Sequence, residues 1–329
     1  MSNNNQKVII FGSTGAIGRH LIEKLSEQHP AWEITAVSRS TTFSKFSHLP
    51  NVTLVQGDAE DKDTMLSLCR DKVIVYSCIG FPRYERKYWA KHWPVTVDNL
   101  LAASSQFPNQ KLVFCDNLYA YGPGEGVSPS SKIVKASIKS KPGIRAMLRS
   151  KFEARINKKP ESITIVGGAD FFGPLVTDKS FLGDTFTKKI IDGEQPICIG
   201  SKDVIHDFCY APDFANALYV ASISPEAYGK FWICPHAIKN KTMSEIANDI
   251  AKINSSKDVS VKVQAYPGWS IKVLSPFMSF MSEMVEMLPF WTKHYTVDDS
   301  DFCQTFRMSP TPYDTALTVY VNTYKTGQH

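Results

Sequence analysis

Two tyrosines stand one residue apart in FCDNLYAYGP, Phe114–Pro123, at the end of an apolar run. A tyrosine just beyond a strand end can pass a proton to a developing alkoxide, and the amide of Asn117 can donate a hydrogen bond to the same oxygen. Tyr119 is the candidate proton donor, with packing as the competing use of its ring. Lys141, Arg145 and Arg149 recur every four residues, so on a helix they form one cationic stripe. Lys141 or Arg145 at a cleft would lower a tyrosine pKa or grip a phosphate, whereas a solvated face asks nothing of them. His206 and Asp207 are neighbours ahead of a strand, where adjacent side chains point to opposite faces, so they are not read as a dyad.

These groups need a scaffold, and KVIIFGSTGAIGRHLIEKL supplies its beginning. Val8–Phe11 reads as a buried strand, and Ile17, Leu21, Ile22 and Leu25 mark one face of a following helix. Between them Gly12, Gly15 and Gly18 form G-x-x-G-x-x-G, spaced for a tight turn, for backbone amides approaching a pyrophosphate, and for close packing of helix on strand. A second strand, EITAVSRS, ends in Ser38, Arg39 and Ser40 with no acid. An acid there would bond a ribose 2′-hydroxyl and an arginine accommodates a 2′-phosphate, so NADP is favoured and NAD is the alternative.

Strand and helix patterns continue to alternate through VTLVQGDAED, VIVYSCIG, KLVFCDN and ITIVGGADFFGP. That order predicts an α/β fold, a Rossmann-type doubly wound parallel sheet over residues 1–182, with ligands beyond the carboxyl ends of its strands. Residues 183–329 are expected to form mainly a smaller C-terminal substrate-binding lobe, with some segments returning to the sheet. Pro142 and Gly143 disfavour a continuous helix that would carry Ser137 and Lys141 one turn apart. The Met-rich stretch Ile271–Trp291 is too charged and broken to span a bilayer; filling an irregular core is its expected use, with a pocket or a membrane surface as alternatives.

The chain has 329 residues, 43% hydrophobic and 21% charged, enough for a large core. Seven scattered cysteines without a C-x-x-C pair suggest neither a disulfide framework nor a metal site, and with no apolar leader the reading is a reducing, cytoplasmic compartment. Ten Lys/Arg against one acid between Lys132 and Lys159 carry no aromatic-basic motif for nucleic acid.

Taken together, GSTGAIG, Gly57-Asp58, the strand ending in Gly80, LYAYGP and ADFFGP resemble the extended short-chain dehydrogenase/reductases, in the NAD(P)-dependent epimerase/dehydratase group. The resemblance implies a cofactor held by Gly12, Thr14, Gly15, Ala16, Ile17 and Gly18, with Arg39 at the 2′-phosphate, Asp58 and Ala59 near adenine and Gly80 near the ribose. It also implies that Tyr121 packs, that Asn117 stands where the group has a Ser or Thr, and that Asp170 contacts substrate, as Arg145 would through a phosphate. The group's Tyr-x-x-x-Lys pair is absent; counting places Lys141 at the lysine, and Ser137 at the tyrosine. The implied function is an oxidoreductase of a small carbonyl or alcohol, with a nucleotide-sugar epimerase/dehydratase or a non-catalytic NADP-sensing or partner-binding protein as alternatives. A homodimer would be usual for the group.

Overall fold

The computed structural model describes residues 5–40, 46–178, 180–255 and 259–327. Its central feature is a seven-stranded sheet. Six of the strands are β1 (Lys7–Phe11), β2 (Glu33–Ser38), β3 (Val52–Gln56), β4 (Ile74–Ser77), β5 (Lys111–Asn117) and β6 (Ile163–Gly168). The seventh is Phe231–Ile233, and the order runs Phe231–Ile233, β6, β5, β4, β1, β2, β3. β1 pairs in parallel with β2 on one side and β4 on the other, so Phe11 lies opposite both Val37 and Ser77. The connections wind outward in both directions from β1, as expected for a doubly wound sheet. Val8, Ile9, Ile10, Val75, Val113 and Val166 are buried, which explains why these strands read as continuous apolar runs.

Helices α1 (Ala16–Gln28), α2 (Lys62–Cys69), α3 (Arg86–Gln106) and α4 (Lys141–Lys158) accompany the sheet. α1 buries Leu21, Ile22 and Leu25. α4 begins at Lys141 and leaves Ser137 outside it, so positions 137 and 141 do not share one helix. The helix starts at Lys141, which puts the proline in the first turn, where its missing N–H has no intrahelical partner to lose. Ser140 caps the start by accepting a hydrogen bond from the Gly143 N–H at 3.2 Å.

The chain forms two compact units, each built from several stretches of sequence. The first is 1–116, 135–167 and 214–232; the second is 117–134, 168–213 and 233–329. Phe231–Ile233 pairs at the edge of the seven-stranded sheet, next to β6. The second unit holds two short parallel pairs, Asp170–Phe172 with Phe208–Tyr210 and Ile197–Ile199 with Gln264–Tyr266. Its helix Met243–Ser255 buries Met243, Ile246, Ala247, Ile250 and Ala251, a three- and four-residue spacing. In helix Tyr313–Thr326 the Tyr320 hydroxyl donates to the Val176 carbonyl at 3.0 Å.

The Met-rich stretch divides in two. Met284, Met287, Leu288, Phe290 and Trp291 are core residues, as expected, while in its earlier half Ile271 is buried and Lys272, Val273, Phe277, Met278 and Phe280 are exposed.

Candidate functional site

In the first unit, the turn after β1 carries the constraint that its glycines announce. Gly12 has φ +78°, and a Cβ built on it would lie 2.4 Å from the Cys78 carbonyl oxygen just past β4. On Gly18 a Cβ would lie 2.3 Å from the Gly12 carbonyl oxygen. Any side chain at either position forces the turn, the helix and the neighbouring strand end apart. The Ser13 hydroxyl donates to the Val37 carbonyl at 2.7 Å and ties the turn to β2. α1 then begins with Gly15 as its N-cap, with no side chain capping it and no acid in its first turn. Its initial N–H groups and dipole form an electropositive end suited to an anion.

Thr14, Gly15, Arg39, Asp58 and Gly80 are exposed, and Ala16, Ile17 and Ala59 partly so. Arg39 follows β2, its carbonyl accepting from Gln56 at 3.1 Å. Asp58 accepts from the Glu60 N–H at 3.0 Å, and the Ala59 carbonyl accepts from Asn99 at 3.0 Å, so this loop is shaped from within. Nothing lies within 4 Å of a Cβ built on Gly80. The cradle at the β1 turn, the open backbone at Gly80 and a cation after β2 fit a dinucleotide phosphate chain.

The cationic stripe on α4 is buried, which corrects its reading as a solvated face. Lys141 is fully buried, its Nζ 4.3 Å from the centre of the Tyr84 ring. The Arg145 guanidinium lies 3.8 Å from the Trp93 ring centre and 3.0 Å from Asp116. Arg149 lies 3.7 Å from the Phe231 ring centre. Each cation faces an aromatic ring and exchanges hydration for the ring's negative face. Arg145, expected to hold a substrate phosphate, is thus engaged with an acid and an indole. Lys141, expected beside a proton donor, faces Tyr84.

The second unit gathers a different group. The parallel register sets Asp170 opposite Phe208, which brings His206, two residues earlier, to the same end of that pair. His206 Nε2 lies 2.8 Å from Asp170 Oδ2, and the Tyr119 hydroxyl lies 3.5 Å from Oδ1 of the same carboxylate. Asp170, read from sequence as a substrate contact, therefore stands between the candidate proton donor and a histidine that had been set aside. The His206 ring is fully buried and stacks on Trp291, centroids 4.0 Å apart and 8° from parallel. Its Nδ1 has no hydrogen-bond partner among the described residues, and neither does the nearby Tyr295 hydroxyl. Burial holds the Tyr295 hydroxyl well above the usual tyrosine pKa, so it stays a neutral phenol. Asp207 turns away, accepting from the N–H groups of Asn240 and Val297 at 2.9 Å each.

Asn117 accepts from the Tyr119 N–H at 3.2 Å, which orients both residues at the short 3₁₀ turn Tyr119–Tyr121. The Tyr121 hydroxyl approaches the Pro129 carbonyl, at 3.5 Å. Asp213 accepts from the Thr311 N–H and hydroxyl, both at 2.7 Å, and so ties two segments together. Sequence reasoning missed His206, Trp291 and Tyr295, since strand pairing and packing far along the chain bring them to Asp170.

Residues 8–233 match the model of the NAD dependent epimerase/dehydratase family. Among curated proteins, isoeugenol synthase 1 of Clarkia breweri is 24% identical over 149 residues, spanning 41% of this chain and 44% of that protein. Among solved structures, dTDP-glucose 4,6-dehydratase from Bacillus anthracis, in complex with NAD, superposes with a TM-score of 0.79 at 13% identity, covering 98% of this chain and 97% of the other. UDP-glucuronic acid 4-epimerase from Bacillus cereus, also with NAD, gives 0.77 at 16%, covering 98% and 99%. UDP-glucose 4-epimerase from Thermotoga maritima gives 0.76 at 16%, covering 98% and 100%.

Proposed function

We propose, from the premise that the chain belongs to the NAD dependent epimerase/dehydratase family, that it is an NAD(P)-dependent oxidoreductase of a small carbonyl or alcohol, with NADP preferred. The observation that carries the reading is the turn after β1, where two glycines without room for a Cβ stand beside an uncapped helix start. Gly12, Thr14, Gly15, Ala16, Ile17 and Gly18 would hold the pyrophosphate, Arg39 the 2′-phosphate, Asp58 and Ala59 the adenine side, and Gly80 the ribose. The nicotinamide supplies a hydride when bound.

The chain's own part in the chemistry is a proton and its control. A carboxylate beside Tyr119 disfavours a tyrosinate, so Tyr119 is suited to passing a proton onward and poorly suited to resting as a base. Asp170 would orient the Tyr119 hydroxyl by accepting from it, and His206 would hold the other carboxylate oxygen through the 2.8 Å contact. Trp291 holds the imidazole plane in place by stacking. Asn117 would donate to the substrate oxygen, its own carbonyl being turned to the Tyr119 N–H.

Titration with NADPH and with NADH, in wild type and Arg39→Ala, tests the cofactor. NADPH binding is expected to weaken several-fold in the variant and NADH binding to change little; failure to bind either nucleotide would overturn the reading. In a carbonyl screen, Tyr119→Phe should keep nucleotide affinity while lowering kcat by roughly 10²–10⁴-fold. The second reading, action on a nucleotide sugar, is favoured by the resemblance to the three sugar-nucleotide enzymes in fold. Product formed from a UDP- or dTDP-sugar without net change in the nicotinamide would select it.

A further inference from the structure

Five of the eleven exposed large apolar side chains among the described residues fall within twelve consecutive positions of the second unit. Trp269 is 70% exposed, Val273 60%, Phe277 83%, Met278 46% and Phe280 52%. They sit on two short helices, Gly268–Leu274 and Ser279–Val285, and on the turn between them. Trp269 and Val273 are four residues apart and share one helix face, while Ile271 points into the core and anchors that helix. Single exposed apolar side chains are ordinary, but a contiguous set of aromatic and Met residues marks a surface meant to be covered.

Along the stretch that carries this set the charges are basic, with Glu286 following only after the second helix. Residues 259–282 contain no Asp or Glu, and the next acid, Glu283, is buried. Lys272 is exposed in the middle of the set. Gly268 packs against Leu288 and Thr292, a Cβ there lying 3.5 and 3.8 Å from their side chains, which brings exposed Lys293 to the border.

We infer that this helix pair docks on a membrane surface carrying anionic headgroups. Phe277 and Trp269 are 83% and 70% exposed, and such rings enter the boundary between headgroups and acyl chains without needing a shaped partner. Lys272 and Lys293 then face lipid phosphates and carboxylates. A second copy is a poorer occupant, because a twofold contact sets the patch against itself and meets each Lys272 with no acid to pair it. The mode is attachment at the surface, since no helix among the described residues is long and apolar enough to cross a membrane.

The test is co-sedimentation of the full chain with vesicles of phosphatidylcholine alone and of an equimolar mixture with phosphatidylserine. Binding to the mixed vesicles and much less to the neutral ones is expected. Phe277→Ser/Phe280→Ser should abolish it, and Lys272→Glu/Lys293→Glu should weaken it about tenfold or more. The altered side chains are solvent-exposed, so thermal melts of both variants should match wild type. Absence of wild-type binding, or equal binding by wild type and the Phe double variant, overturns the inference. So does a dimer in sedimentation equilibrium that the Phe double variant dissolves, which would give the patch to a second copy.

Discussion

Asp299 shows how a buried carboxylate is kept ionised. Burial pushes its pKa up, but it accepts hydrogen bonds from the His236 N–H and the Lys239 ammonium, both at 2.8 Å, with the His236 ring also close, and these bring it down to about 2. A folded-state pKa below the unfolded value of about 3.9 contributes stability that is fully present above that value. It is lost as pH falls through about 2. The slope of stability against pH between these limits should therefore be shallower in Asp299→Asn than in wild type, as urea midpoints measured across acid pH would show. Equal slopes would mean that the carboxylate is not held as described. At the same scale, a reader of the sequence sees Tyr119 and Asp170 as separate candidates. Their shared carboxylate contact, and His206 on its other oxygen, exist only because residue 170 pairs opposite residue 208.

α4 is the element whose sequence reads least like its structure. Six basic residues against one acid suggest a solvated helix, yet its inner face carries Arg145 between Trp93 and Asp116. The Asp116 carboxylate at 3.0 Å is what makes the buried guanidinium tolerable. Breaking a buried pair by removing one charge is strongly destabilising, so Asp116→Asn should cost about 3–5 kcal/mol in urea unfolding. Arg145→Met combined with Asp116→Asn should recover much of the loss, because both charges leave together and Met refills the space beside Trp93. If the double variant is no more stable than Asp116→Asn, the pair is not the source of the cost. The burial was not legible because a four-residue spacing of cations identifies a face without saying what covers it, and the cover comes from Trp93 on α3 and from Phe231, far along the chain.

Across the molecule, seven cysteines remain thiols, and five of them, Cys69, Cys78, Cys198, Cys209 and Cys234, are buried. Burial pushes Cys69, Cys78 and Cys198 up to about 12, which leaves almost no thiolate at neutral pH. Titration with a thiol-specific chromogenic reagent should therefore find all seven groups in denaturant and at most two, Cys115 and Cys303, reacting promptly in the folded protein. Prompt reaction of more than two would mean that the core around the buried thiols opens readily. Odd number and scattered spacing had already argued against a disulfide framework, whereas the protection of particular thiols depends on which strands and helices cover them.

The sequence by itself determined the α/β class, the turn after β1 and the preference for a cation after β2, because these are local. A strand pattern, three spaced glycines and a helix pattern within about thirty residues specify a βαβ unit whatever surrounds it. Tertiary structure decided the rest of the site: that Phe231–Ile233 pairs at the edge of the sheet, that the α4 cations lie under aromatic rings, and that a histidine stands behind Asp170. The physical reason is the same in each case. Burial, pairing and hydrogen-bond reach depend on what another part of the chain brings near, and spacing along one segment carries no record of that neighbour.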